Sequence, residues 1–338
     1  MKRLTIADIA ERAGVSKVAV SYALNDRPGV SEETRAAIKA IADELGWRPS
    51  NAARNLKGAS ARAIGLVLCP PAATLTHEPF FMELISGIES VLAGPSYGLM
   101  LHMVASAEEE AAIHRRWWAE RQVDGVLVLN VRLQDSRIPV LEKLGMPAVI
   151  LGPPSASELL PSVWSGDAES ATEAVRYLAA LGHRTIARVA GPPDFAHTAV
   201  RDEATREACL RAGLPEPVII HTDYSGDEGA RATRHLLLRS DRPTAVVYDN
   251  DILAVAGLGA AQELTVNVPR DLSIIAWDDS VLTRVVRPAL TALTRDIRAY
   301  SARATEILLA LTAGGTGTSE SVEPARLVPR ASTSPAAR

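Results

Sequence analysis

Residues 5–25 read TIADIAERAGVSKVAVSYALN and contain two short helical patterns separated by a glycine. Thr5 is a favourable N-cap residue, and apolar residues recur at helical spacing after it. Gly14 accommodates the left-handed backbone conformation that reverses a chain after a helix. Ser16 can cap a second helix over residues 17–24. The pattern therefore predicts two short helices joined by a tight turn.

A third helical pattern follows the first two. Ser31 can cap it, Glu32 and Glu33 in its first turn favour the helix dipole, and apolar residues face inward as far as Leu45. Two short helices joined by a glycine turn and closed by a third are typical of a helix-turn-helix. The sequence therefore predicts an all-α helix-turn-helix headpiece, a DNA-binding domain over residues 1–46.

The second helix carries the side chains that could read DNA. In this architecture its N-terminal, outward-facing positions enter the major groove. Lys17 can donate to guanine or phosphate, and Val18 can touch a thymine methyl group. On spacing alone, a solvent-facing helix of a small bundle is the alternative. The DNA-binding candidates of this unit are Thr5, Ser16, Lys17, Val18, Ser21, Tyr22 and Asn25.

Charge and cysteine content narrow the class of protein. Residues 1–58 contain ten Lys or Arg and seven Asp or Glu, whereas the rest contains 26 and 33. A basic N-terminal segment on an acidic body suits a DNA-binding module joined to another domain. Cys69 and Cys209 lie in no metal-binding motif, so we expect no metal, disulfide or cofactor. Asp8 and Glu11 interrupt the basic start, and no long apolar run follows, so we expect a cytoplasmic protein without a membrane partner.

The N-terminal residues resemble the lactose-repressor (LacI/GalR) family of bacterial regulators. The matching stretches are LTIADIAERAGVS at 4–16, AVS at 19–21, LN at 24–25, VS at 30–31, TR at 34–35 and LGWRP at 45–49. The resemblance implies a transcriptional repressor that binds double-stranded operator DNA as a homodimer, with a tetramer left open. Lys17 and Val18 would be the variable base-reading pair. The family usually has Thr where Ala19 stands and Arg where Tyr22 stands, so the operator sequence does not transfer from relatives.

Residues 47–60, here named the hinge segment, connect the headpiece to the rest of the chain. Pro49 ends the third helix, and a helix of about one and a half turns before Gly58 would be too short to be stable in isolation. In the resembled family such segments pair in a dimer and push a leucine into the minor groove, a known way to kink DNA. An ordinary linker is the alternative. The DNA-binding candidates here are Asn51, Ala53, Arg54 and Leu56.

From residue 61 onward, apolar strand patterns alternate with amphipathic helical patterns. The predicted strands are Ile64–Cys69, Leu99–Val104, Gly125–Leu129, Ala148–Leu151, Thr185–Ala190, Val218–Ile220, Ala245–Tyr248 and Leu272–Trp277. Helices between them include Phe80–Leu92, Glu108–Gln122, Glu169–Leu181, Ala199–Ala212, Asp227–Leu238 and Asp251–Glu263. This alternation predicts an α/β core over residues 61–338, with two doubly wound parallel-sheet lobes and a ligand cleft between them.

The resemblance continues through this core, at IGLV 64–67, PFF 79–81, DGV 124–126, LGHRTI 181–186, ND 250–251, WDD 277–279 and LVPRAST 327–333. It implies a periplasmic-binding-protein-like domain that binds a small-molecule effector, a sugar or sugar derivative. Phe80 and Phe81 offer aromatic faces, Arg201 can make bidentate contacts, and Asp278 can accept from hydroxyl groups. These residues align with the family's effector-binding aromatic, arginine and aspartate. A second group of candidates, for which a capping or core role is an equal alternative, is Asn130, Trp164, Tyr248, Asn250 and Trp277.

Other functions remain as alternatives at this point. A ligand-responsive activator and a purine- or nucleoside-responsive regulator would share the architecture. An enzyme is disfavoured because the sequence lacks the common phosphate-loop, nucleophile-elbow and zinc-protease motifs. An exported sugar-binding transport protein would not carry residues 1–58. Residues 69–78, Gly152 and Ala204-Thr205 depart from the family pattern and predict a roomier or less polar pocket.

Overall fold

The computed structural model describes residues 4–47, 60–69, 79–154 and 157–336. The chain divides into two compact units, Met1–Ala61 and Arg62–Arg338. The hinge-segment candidates Asn51, Ala53, Arg54 and Leu56 lie outside the described residues. Among the described helices, none combines the length and apolar character of a bilayer span.

Residues 4–47 of the first unit form the helices α1 Ile6–Ala13, α2 Lys17–Leu24 and α3 Glu32–Glu44. The Thr5 amide donates to Asp8 Oδ2 at 2.7 Å, and Gly14 ends α1 in the left-handed conformation with φ of 65°. Ser16 Oγ accepts from the Ala19 amide at 3.1 Å, and Ser31 Oγ accepts from the Thr34 amide at 3.2 Å. These caps satisfy amides that a helix start leaves unpaired, so each helix begins where the sequence predicts.

The three helices share one small apolar core. Ile9, Val20 and Ile38, one from each helix, are completely buried in it. The Arg35 guanidinium donates to the Arg27 carbonyl at 3.0 Å and thereby fixes the loop between α2 and α3. The predicted helix-turn-helix headpiece is confirmed.

The second unit begins with an α/β lobe. Its elements in chain order are β1 Ala63–Leu68, α4 Pro79–Leu92, β2 Gly98–Met103, α5 Ala107–Ala119, β3 Gly125–Leu129, α6 Arg137–Leu144, β4 Ala148–Leu151 and β5 Ser162–Trp164. The strands pair in parallel in the order β2-β1-β3-β4-β5. The order reverses between β1 and β3, as in doubly wound sheets, and ligands bind such sheets beyond the carboxyl ends of the strands.

A second lobe repeats this arrangement. Its elements are α7 Asp167–Ala180, β6 Ile186–Ala190, α8 Ala196–Arg211, β7 Val218–His221, α9 Gly226–Leu237, β8 Ala245–Tyr248, α10 Asp251–Glu263, β9 Ser273–Trp277, α11 Val281–Val285 and β10 Thr291–Thr294. The strand order β7-β6-β8-β9-β10 is again parallel throughout. The expectation of two doubly wound lobes is therefore confirmed.

The end of the chain returns to both lobes. The last elements are α12 Ile297–Thr312, β11 Glu320–Ser321 and β12 Arg326–Val328. Helix α12 packs in the core of the first lobe, β11 joins β5, and β12 joins β10 in an antiparallel pair. The chain thus passes between the lobes three times. Arg295 on the second passage donates to Ser165 Oγ on the first at 3.1 Å.

Sequence patterns missed β5, β10, β11 and β12. These strands contain only two to four residues each, and β11 and β12 lie at the sheet edges. Runs of two or three residues, as in β5, β11 and β12, have no period to detect, and Glu320 of β11 pairs with the sequence-distant Val163. The consequence for the site is that residues following β5 and β10 were not recognised as strand-end positions.

Helices α4 and α12 approach so closely that only a glycine fits between them. A Cβ on Gly87 would lie 2.1 Å from Ser301 Oγ and 2.3 Å from the Arg298 carbonyl oxygen. We expect Gly87→Ala to lower the free energy of unfolding by about 1–3 kcal/mol through overpacking, measured by urea denaturation. Gly259→Ala is the matched control, because a Cβ there meets nothing within 4 Å and the substitution should stabilise helix α10 by about 0.5–1 kcal/mol. Equal stability of the two variants would contradict the close approach.

Candidate functional site

The headpiece presents the start of α2 to solvent. Lys17 is exposed and Val18 retains 59% of its accessible surface, as base-reading side chains require. Tyr22 is half-buried, with its ring 3.3 Å from where a Cβ of Gly29 would lie. The Asn25 amide donates to the Ser21 carbonyl at 2.6 Å. Lys17 and Val18 are thus exposed at the start of α2, as are the candidates Thr5 and Ser16 just before α1 and α2.

A cleft of about 720 Å³, including its open mouth, lies between the two lobes of the second unit. Five of the predicted effector-binding residues line it: Phe80, Phe81, Asn130, Arg201 and Asp278. The other lining residues are Leu129, Leu151, Gly152, Asp167, Phe195, His197, Tyr224, Asp249, Arg295 and Tyr300. The cleft thus combines an aromatic lining with buried charged groups, which is typical of small-molecule sites.

Arg201 is the central cation of the cleft. Its side chain is buried, and its guanidinium contacts Asp167 Oδ1 through Nε at 2.7 Å and Nη2 at 2.6 Å. Asp249 Oδ1 lies 3.7 Å from Nη1, and the guanidinium carbon lies 3.7 Å from the ring centre of Trp277. Burial disfavours the charge on Arg201, but the two carboxylates outweigh it and raise the arginine pKa.

A second arginine holds the predicted aspartate. Arg295 Nε donates to Asp278 Oδ1 at 2.8 Å, and its guanidinium lies 5.5 Å from the ring centre of Phe80. Asp278 adopts the left-handed conformation with φ of 63°, which turns the chain immediately after β9. Arg295 also donates to Ser165 Oγ. Through Arg295, the effector candidate Asp278 is therefore connected to the passages between the lobes.

Aromatic side chains form the wall on the second-lobe side. Phe195 and Tyr224 stack with ring centres 6.4 Å apart, and His197 Nε2 lies 2.8 Å from Tyr224 Oη. Burial, followed by the Arg201 charge, lowers the pKa of His197 to about 3, so the imidazole is neutral. The wall therefore offers apolar faces and neutral polar groups to a ligand.

The backbone also connects the lobes at one side of the cleft. Arg132 in the first lobe and Phe195 in the second form an isolated antiparallel bridge. The Leu133 amide donates to the Asp194 carbonyl at 2.9 Å, and the Ala196 amide donates to the Val131 carbonyl at 2.9 Å. Arg132 also pairs with the Asp194 carboxylate and lies over the Phe195 ring.

Four predicted residues lie outside the lining of the cleft. Tyr248 is buried in the core, where its hydroxyl contacts Thr233 Oγ1 at 2.7 Å. Asn250 caps α10 by accepting from the Leu253 amide at 2.7 Å. The remaining two are Trp164, whose carbonyl accepts from the Val322 amide, and Trp277, which lies against Arg201. Trp277 does not line the cleft, but its ring packs against Arg201, which does.

Several lining residues escaped the sequence analysis although a local signal existed for some. Asp249 follows β8 directly, and Tyr224 lies three residues after β7. Both positions are at the carboxyl ends of parallel strands, where ligand-binding residues concentrate. No such signal marked Asp167 and Arg295, because they follow the short strands that sequence patterns missed. Among the described residues, no His, Cys, Asp and Glu cluster could hold a metal ion.

His197 should make stability depend on pH. Its pKa of about 3 in the folded protein lies well below the ordinary 6.5 that we assign to the unfolded chain. As the pH falls from 7 to 4, the unfolded chain binds a proton that the folded protein does not, so stability decreases. We expect the melting temperature of wild type to fall more over this range than that of His197→Gln. His235→Gln, on the exposed surface of α9, is the control, and identical pH profiles for wild type and His197→Gln would contradict the assignment.

Comparison with known proteins supports this architecture along the whole chain. Residues 5–50 match the family model of bacterial regulatory proteins of the lacI family, and residues 175–333 match that of the periplasmic binding protein-like domain. The transcriptional regulator CelR of Thermobifida fusca is 30% identical over 97% of this chain and 96% of its own length.

Two solved structures extend the similarity to three dimensions. The lac repressor dimer bound to operator and an anti-inducer is 26% identical, with a TM-score of 0.83 over 98% of this chain and 100% of the other. A CelR–cellobiose complex is 27% identical, with a TM-score of 0.75 over the same shares. These relatives are transcriptional regulators and not enzymes. The chain belongs to the lacI family of bacterial regulatory proteins.

Proposed function

We propose that this protein is a homodimeric repressor whose affinity for operator DNA is controlled by a neutral sugar bound in the cleft between the lobes. The headpiece reads the operator through Lys17 and Val18. A two-fold dimer on a near-palindromic operator follows from the geometry of such headpieces. Because its target is operator DNA, the protein acts in the cytoplasm.

The observation that carries the sugar assignment is the pairing of both cleft arginines. Arg201 is engaged by Asp167 and Asp249, and Arg295 is engaged by Asp278. An anionic ligand such as a phosphate would have to displace carboxylates from these guanidinium groups and would itself face three acidic side chains. A neutral hydroxyl group can instead donate to a carboxylate and accept from a guanidinium without disturbing either pair. The charge arrangement therefore favours polyhydroxylated neutral ligands.

Aromatic residues supply the complementary part of sugar recognition. Phe80 lies on one wall of the cleft and Phe195 with Tyr224 on the other. The faces of such rings suit the C–H surface of a sugar ring. The CelR–cellobiose complex, a structural neighbour over nearly the whole chain, provides a precedent for a sugar in this architecture.

The cleft is placed to transmit ligand binding to the rest of the chain. Asp278 is bonded to Arg295, and Arg295 is bonded to Ser165, so a ligand at Asp278 acts directly on two of the three passages between the lobes. A ligand that favours one arrangement of the lobes shifts the population toward it. A typical coupling of about 1–3 kcal/mol would change operator affinity by roughly 5–150-fold.

Operator recognition is tested at the start of α2. Lys17→Ala should weaken binding to a promoter fragment from the neighbouring genes and reduce its salt dependence, because one cationic contact is lost. Lys143→Ala removes the same charge from the exposed surface of α6 in the second unit and is the control. Gel shift at several salt concentrations measures both. Equal losses in the two variants would argue against a role of Lys17 in the headpiece–DNA contact.

Effector class is tested by thermal shift. D-Glucose, D-galactose, cellobiose, maltose, adenosine and inorganic phosphate are compared, and a ligand that binds the native state raises the melting temperature as its concentration rises. We expect a neutral sugar to do so and phosphate to have no effect. Arg201→Met should abolish the shift and the response of operator binding, whereas Arg211→Met, near the exposed end of the same helix, should preserve both. Stabilisation by adenosine alone would favour the nucleoside-responsive alternative.

A further inference from the structure

A buried ion pair lies beneath the cleft, on the second-lobe sheet. Arg188 lies within β6 and Asp249 directly follows β8, the neighbouring strand. Arg188 is 1% exposed and Asp249 3% exposed. Arg188 Nη2 donates to Asp249 Oδ2 at 2.7 Å, and the Gly191 amide donates to the same oxygen at 3.0 Å.

Stability alone is a poor explanation for this pair. Strands buried on both faces of a parallel sheet are ordinarily apolar. Removing two charges from water costs several kcal/mol per ion, and apolar pairs of similar volume are often equally or more stable. Arg188 also approaches Asp202, with Nε 3.4 Å from Oδ1, so the strand carries a costly charge between two carboxylates.

The two oxygens of Asp249 differ in their surroundings. Oδ2 accepts both hydrogen bonds described above. Oδ1 is buried and, within the described part of the chain, accepts no hydrogen bond, although Asp249 lines the cleft and Arg201 Nη1 lies 3.7 Å away. A buried acceptor without a donor is costly and uncommon. Oδ1 and Arg201 Nη1 are close enough that one ligand oxygen lying beside them in the cleft could hydrogen-bond to both.

We propose that Asp249 is an effector-binding residue whose Oδ1 accepts from a hydroxyl group of the ligand, while that hydroxyl accepts from Arg201. Arg188 is the positioning residue, because it occupies Oδ2 and so leaves Oδ1 for the ligand. This inference rests on the proposed sugar-binding function and adds a recognition element to it. The contact with Asp249 and Arg201 favours ligands that carry a hydroxyl group at this position over analogues that lack it.

The charges around Asp249 support this assignment. Burial would raise the pKa of its carboxyl group, but Arg188 and Arg201 outweigh burial and hold that pKa below its ordinary value. His197 faces the same carboxylate and is neutral, and Asp202, which contacts His221, lies beside Nε of Arg188. Removal of the Arg188 charge should therefore raise the Asp249 pKa.

The direct test measures the affinity for the panel sugar that stabilises the wild-type protein most. Asp249→Asn should raise its dissociation constant by about tenfold or more, as expected for loss of a hydrogen bond to a charged group. Asp227→Asn, at an exposed position of α9 in the same lobe, is the control and should leave affinity within about twofold. Retained operator binding and an unchanged circular dichroism spectrum verify the fold of each variant.

A double-mutant cycle with monodeoxy analogues of that sugar locates the contact. Removal of one particular hydroxyl should cost much more affinity in wild type than in Asp249→Asn, because the hydroxyl and the Asp249 carboxylate belong to one interaction and only the contact with Arg201 remains in the variant. Equal affinity of wild type and Asp249→Asn for the parent sugar would overturn the assignment of Asp249 and leave the sugar effector intact. Failure of every sugar to bind wild type would overturn the effector class and this inference with it.

The positioning role of Arg188 has its own readout. Arg188→Met should move the acid-side loss of sugar binding to a higher pH than in wild type, because Asp249 then lacks one of the cations that favour its charged form. A purely structural arginine would lower stability without altering this pH profile. In the Asp249→Asn background, Arg188→Met should leave the pH profile of sugar binding unchanged, because position 249 then carries no titrating group. A pH shift that persisted in this double variant would overturn the proposed role.

Discussion

Burial of the Arg201 guanidinium is the constraint on which the cleft depends. A charge that is removed from water must be paired, and here it is paired by Asp167 and Asp249 and covered by the face of Trp277. Asp167 begins α7, just after the first passage between the lobes, and Asp249 directly follows β8. One buried cation therefore draws together segments that are distant in sequence. The ligand enters a site whose charges are already balanced, which is why hydroxyl groups suit it better than anions.

The fold was largely predictable because its signals are local. Caps at Thr5, Ser16 and Ser31 define the headpiece helices, and strand–helix alternation defines the lobes. Each of these signals comes from residues that are close together in the sequence. The edge strands β11 and β12 were missed because they are very short and pair with strands from earlier parts of the chain, as Glu320 of β11 pairs with Val163 of β5. The hinge segment remains a prediction from the sequence.

The cleft was predictable only in part, for a related reason. Asp278 directly follows β9 and Arg201 lies in the N-terminal half of α8, and the family resemblance singled both out. Tyr248 was chosen over Asp249, although neighbouring residues of a strand point to opposite faces and only one of them can face the cleft. Which of the two does so is decided by the packing of the Tyr248 hydroxyl against Thr233. No periodicity in the sequence contains that information.

The bridge between Arg132 and Phe195 limits how the lobes can move. Its two hydrogen bonds join backbone groups, so substitution of side chains would not remove them directly. Opening of the cleft at this side would break both hydrogen bonds at once, and the freed amide and carbonyl groups would have to be solvated by water. A twist about the bridge would keep them. The cheaper motion is therefore a torsion of one lobe on the other, which changes the angle between the lobes more than their separation.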